Sequence, residues 1–176
     1  MWVIGLELGE WIKFLGVGIS RNWFYLPPIA MGAIVALLAA MWPNNQWRTW
    51  LARLLAIAIA LLAFPAIAAI QMEPRSEWLA RLAAIGIVVI MAIGGSLIRQ
   101  GGSVTRWVWL AIAIIAFLGG ILPMGQYFLV RPVVEGMLKQ SLGIGIGIWL
   151  NLVGALLIGM ISLDEMRREI NKKGSR

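Results

Sequence analysis

Five apolar stretches separated by short polar clusters make up most of this chain. They run from about Trp23 to Trp42, Trp50 to Ile70, Trp78 to Ile98, Trp107 to Leu122 and Leu142 to Leu163. At a rise of 1.5 Å per residue, roughly 20 residues cross a hydrocarbon core of about 30 Å, so four stretches fit a bilayer directly and the fourth is short. Trp23, Trp42, Trp50, Trp78 and Trp107 stand at the ends of these runs, where an indole has its ring in hydrocarbon and its N–H at the headgroups. The pattern predicts an all-α integral membrane protein with about five transmembrane helices in one bundle.

The polar clusters carry turn chemistry. Pro43-Asn44-Asn45, Glu73-Pro74-Arg75-Ser76-Glu77 and Gln100-Gly101-Gly102-Ser103 are short, and short loops force neighbouring spans to be antiparallel. The exception is the segment from Pro123 to Gln140, which stays apolar through Tyr127, Phe128, Leu129 and Val130. Two alternatives stay open there: the fourth helix stops at Pro123, or it continues past a proline kink. Pro132 suits the first turn of a helix and offers an early start for span five.

The first twenty residues form a separate element. Ile4, Leu8, Trp11, Ile12, Leu15 and Ile19 share one helical stripe, and Glu7, Glu10, Lys13, Ser20 and Arg21 gather opposite, as in a helix lying in the membrane interface. The segment has no basic leader and two glutamates interrupt its apolar run, unlike a cleavable signal.

Composition adds solvent and sidedness. Hydrophobic residues make up 61% of the 176 and charged residues 13%, with a mean hydropathy of +0.86. A water-soluble fold of this size has too little interior to hide that surface, and the spans leave no residues for a second domain. The net charge of +7 resides in short loops and in a basic tail, 164–176, where anionic lipid headgroups are the expected partner and nucleic acid is not. With the C-terminus inside, Arg48, Arg53, Arg99, Arg106, Arg167, Arg168, Lys172, Lys173 and Arg176 are cytoplasmic, against Lys13, Arg21, Arg75, Arg81, Arg131 and Lys139 outside, nine to six of the 15. The positive-inside bias thus favours N-outside and C-inside, and we expect a bacterial cytoplasmic membrane.

Candidate chemistry is sparse. The chain has no histidine and no cysteine, which removes the usual ligands of haem and zinc, imidazole general bases and thiolate nucleophiles. No cofactor or metal is expected. Inside the spans Asn151 is the polar residue at depth, Ser96 lies near an end, and Arg53 and Arg81 stand one turn from the boundary, where long stems let them snorkel. Gly143, Gly147, Asn151, Ala155 and Gly159 recur every four residues, a strip of small side chains expected to let a neighbouring helix approach closely, with the Asn151 amide bonding across. Gly147→Leu is expected to disrupt that contact. Gly32, Ala36 and Ala40 make a shorter strip in span one. Trp50-Leu-Ala-Arg53 and Trp78-Leu-Ala-Arg81 open a ten-residue repeat that enters the membrane from opposite faces.

These features favour a non-catalytic subunit or assembly component of a larger membrane complex, whose partners are lipid and other membrane subunits. A small-solute channel or carrier is the alternative, resting on the glycine-lined span five and on possible kinks at Pro65 and Gly94-Gly95. On the outer face Trp2, Trp11, Tyr127 and Phe128 are the candidate partner or lipid shelf.

Overall fold

A computed structural model describes residues 21–65, 67–72, 75–95, 104–141 and 143–174. The amphipathic segment 1–20, with Trp2 and Trp11, lies outside the described residues. A short 3-10 turn, Arg21–Tyr25, leads into six helices: α1 (Leu26–Ala40), α2 (Trp47–Leu61), α3 (Ile67–Met72), α4 (Arg75–Gly94), α5 (Val104–Leu138) and α6 (Ile146–Gly174). Among the described residues there is no strand. Four helices are long and apolar enough to cross a membrane, over Trp23–Ala40, Arg75–Gly94, Thr105–Gly136 and Ile146–Asn171, and they fit a membrane location.

Prolines set several of these boundaries. Pro27 and Pro28 occupy the first turn of α1, where no backbone donor is needed. The expected second span, 50–70, is not one helix. At its end the N–H groups of Leu62, Ala63 and Phe64 turn back to the carbonyls of Ile59, Ala60 and Leu61 at 3.1, 3.1 and 2.9 Å. Pro65 has no N–H to continue the ladder, and it disfavours a helical Phe64. The 15 residues of α2 rise only about 22 Å, and α3 is a separate six-residue piece.

Downstream the opposite correction applies. Span four does not stop at Leu122: α5 is one helix of 35 residues with Pro123 and Pro132 inside it, so Pro132 does not open span five. The left-handed Lys139, φ 50°, follows the end of α5, and α6 starts only at Ile146. The helix then runs past Leu163 into the basic tail, where Arg168 reaches Asp164 at 2.8 Å and Glu165 at 3.4 Å, pairs spaced to support an exposed helical turn.

Side-chain contacts give the directions. Gly32 of α1 faces Ala56 and Ala60 of α2, which follows a tight loop, so this pair is antiparallel. Tyr25 meets Arg81, and Ala40 meets Gly95, so α1 and α4 are parallel. Ala30 meets Gly119 while Leu37 clusters with Val108 and Ile112, making α5 antiparallel to α1. Gly120 meets Ala155 and Phe117 meets Gly159, so α6 returns antiparallel to α5. Helix α1 is the hub, packed on α2, α4 and α5, while α6 rests mainly on α5.

The core is built from small residues. Ala33, Ala36, Ala56, Ala60, Ala63 and Ala92 cluster with Ile85 and Val88 between α1, α2 and α4. Leu51, Leu54 and Leu55 of α2, Ile87 and Ile90 of α4, and Trp149, Leu150, Val153 and Leu157 of α6 face outward. Large apolar side chains outside and alanine inside is the arrangement expected where lipid is the solvent and helices bind by close approach.

Candidate functional site

The seams between helices are closed at backbone level. A methyl built on Gly32 would lie 2.8 Å from the Ala56 carbonyl oxygen and 3.0 Å from the Ala60 Cβ. The equivalent atom on Gly95 would fall 2.7 Å from the Ala40 Cβ, on Gly119 2.6 Å from the Ala30 Cβ, and on Gly120 2.5 Å from the Ala155 Cβ. Carbon atoms do not approach so closely, so each of these glycines is required by its neighbour. The α1–α2, α1–α4, α1–α5 and α5–α6 contacts therefore leave no passage at these points.

The small-residue strip of α6 divides in two. Gly143 lies before the helix and Gly147 is exposed, and among the described residues nothing lies within 4 Å of a methyl built on either, so no described helix makes the expected contact at Gly147. From Asn151 onward the strip is in use, with Ala155 on Gly120 and Gly159 against the Phe117 ring, 2.7 Å from a built methyl.

Asn151 does more than bridge two helices. Its Nδ2 donates to the Gly119 carbonyl at 3.2 Å. Gly119 is four residues before Pro123, so its carbonyl is the one that Pro123, lacking an N–H, leaves without a helical donor. The amide of α6 replaces the missing backbone bond of α5, and the helix continues. Ser162, also buried in α6, bonds locally to the Ile158 carbonyl at 2.7 Å.

Both span arginines are buried, which the sequence reading as snorkelling side chains did not anticipate. Arg53 is 3% exposed and Arg81 2%. Arg53 Nη2 donates to Asn44 Oδ1 at 2.6 Å and its guanidinium carbon lies 4.9 Å from the centre of the Trp50 ring. That of Arg81 lies 4.4 Å from the Tyr25 ring. Because α1 and α4 are parallel and α2 runs opposite, the two cations stand at opposite ends of the bundle. The signal that pointed to them was the repeated Trp-Leu-Ala-Arg; the three-residue spacing puts Trp50 and Arg53 on one helix face.

Of the four expected shelf residues, Tyr127 and Phe128 lie among the described residues. Tyr127 and Phe128 stack edge to face, ring centres 5.7 Å apart, and Phe128 is exposed. Tyr127 Oη donates to the Gly143 carbonyl at 3.2 Å and thus secures the α5–α6 turn. One turn on, Arg131 Nε pairs with Glu135 Oε1 at 2.9 Å. At the other end of the hairpin a surface groove of about 280 Å³ is lined by Arg106, Trp107, Leu110, Met166 and Ile170. Among the described residues no group of three acidic, histidine or cysteine side chains is placed to hold a metal.

The described residues define an all-helical bundle with an alanine- and glycine-closed core, four of whose helices are long and apolar enough to cross a membrane. Compared with known proteins, the chain matches no family model, no curated protein and no solved structure.

Proposed function

We propose that this protein is a non-catalytic integral subunit or assembly component of a larger membrane protein complex. The observation that carries the reading is the closure of the seams: Gly32, Gly95, Gly119 and Gly120 each meet a neighbouring helix with no room for one methyl. A bundle tightened in this way holds its shape and has no path for a solute along these contacts. Helix α6 supports the same reading, since it rests mainly on α5 and presents Trp149, Leu150, Val153 and Leu157 outward. Purification in mild detergent followed by mass spectrometry tests it. Stoichiometric co-purifying membrane subunits are expected, and recovery of a solitary protein would reject the proposal.

The break between α2 and α3 favours the second reading, a small-solute channel or carrier, because interrupted helices occur at transport sites. Solute uptake by the purified protein in liposomes, abolished by blocking the Leu62–Pro65 turn, would establish it.

We further propose five crossings with the N-terminus outside and the C-terminus cytoplasmic. Helices α1 and α4 are parallel, so the chain has to return between them, and α2 with its following turn is the returning element. The chain has no native cysteine. In intact cells Ser76→Cys should label with an impermeant thiol reagent and Asn45→Cys should not. Equal labelling would reject the return crossing.

A further inference from the structure

The two Trp-Leu-Ala-Arg copies provide an internal control on how this protein handles a buried cation. Both arginines are buried one turn inside their helix and both lie over an aromatic ring. The position four residues earlier differs: Glu77 stands one turn before Arg81, whereas Thr49 stands one turn before Arg53. Residues four apart share a helix face, so the second copy carries a carboxylate on the face of its cation and the first carries only a hydroxyl. That hydroxyl is already committed, since Thr49 Oγ1 donates to the Pro43 carbonyl at 2.7 Å.

Arg53 is thus held by neutral groups. It donates to the Asn44 amide oxygen and faces the Trp50 ring, and its buried Nε makes no hydrogen bond. Glu135 is paired with Arg131, and Asp164 and Glu165 with Arg168. A buried cation left without counter-charge is among the most unfavourable arrangements in a protein. The surroundings indicate where the anion comes from. Trp42, Trp47 and Trp50 are exposed at this corner, which sets it at headgroup depth, where lipid phosphate is the abundant anion. The exposed Arg48 adds positive potential, and Asn44, its oxygen turned to Arg53, keeps an amide donor.

We propose that the α1–α2 corner, centred on Arg53 and Asn44, is a binding site for the phosphate of an anionic phospholipid, which supplies the counter-charge that Glu77 offers in the other copy. The test uses the full-length protein in nanodiscs of phosphatidylcholine, with or without phosphatidylglycerol. Thermal unfolding is followed, and lipid retained after detergent extraction is identified by native mass spectrometry. Phosphatidylglycerol should raise the unfolding temperature and be retained above its share of the bilayer. Arg53→Gln should lose both effects, and Arg131→Gln, at a guanidinium already paired with Glu135, should keep them. If Arg53→Gln does not fold, Asn44→Ala carries the same comparison and should lower retention. Absence of any phosphatidylglycerol preference in the native protein, or its survival in the Arg53 and Asn44 variants, would overturn the site. Inorganic phosphate added to phosphatidylcholine discs should have no effect; stabilisation equal to that of the lipid would overturn the lipid as the source.

Discussion

Helices α1 and α6 carry the same kind of sequence and use it differently. Gly32, Ala36 and Ala40 repeat every four residues in α1, as Gly143, Gly147, Asn151, Ala155 and Gly159 do before and along α6. In α1 the strip is surrounded: α2 presses on Gly32 and Gly95 presses on Ala40. In α6 only the part facing Phe117, Gly119 and Gly120 is covered, and Gly147 looks into open space. A small residue permits close approach but does not supply the neighbour. What differs is the number of partners, three for the hub and one principal partner for the last helix.

The comparison can be broken by substitution, and the largest effect belongs to the hub. Gly32→Leu forces α1 from α2 against backbone atoms that cannot rotate away, and it should cost about 3 kcal/mol or more. Loss of the folded bundle, or a steep fall in unfolding temperature in detergent, is the expected result; native-like stability would mean that α1 and α2 do not touch at this level.

Gly120→Val comes next, at about 1 to 3 kcal/mol, because its methyls meet Ala155 on a helix that can tilt away on its open side. Cysteines placed at Phe117 and Gly159 should crosslink less readily in this variant than in its parent. An unchanged crosslinking yield would show that the α5–α6 seam tolerates bulk.

Asn151→Leu should cost about 1 to 2 kcal/mol, since it strands the Gly119 carbonyl that Pro123 leaves without a donor. The cause is separable from packing by a double-mutant cycle. With Pro123→Ala the helix donor is restored, so Asn151→Leu should cost less there, with a coupling of about 1 kcal/mol. Additive losses would mean that the amide and the proline act independently.

Gly147→Leu should have the smallest effect, within about 0.5 kcal/mol of zero in detergent, as for other exposed positions without a partner. A large loss would place a helix over Gly147 and make the two strips alike.

Much of the architecture was legible in the order of residues. Of the apolar runs, the first and third coincide closely with α1 and α4, and the fifth with the first part of α6. The absence of histidine and cysteine restricted the chemistry before any geometry was known. Asn151 was singled out because an amide in hydrocarbon needs a partner. Its partner was not legible, because Gly119 lies 32 residues away and becomes an open acceptor only when α5 runs through Pro123 and α6 folds back beside it.

The prolines make the same point twice. Pro65 ends α2 and Pro123 does not end α5, although each follows an apolar run. At Pro65 the preceding N–H groups turn back in a tight 3-10 pattern, whereas at Pro123 a neighbouring helix supplies the missing bond. Sequence by itself determined which segments are apolar, where turns interrupt them and which residues are small enough for contact, because these depend on side-chain chemistry and local backbone sterics. Tertiary structure alone decided which glycines are covered, which ring meets Arg81 and which proline is bridged by a neighbouring helix, because each of those depends on a group brought from elsewhere in the chain.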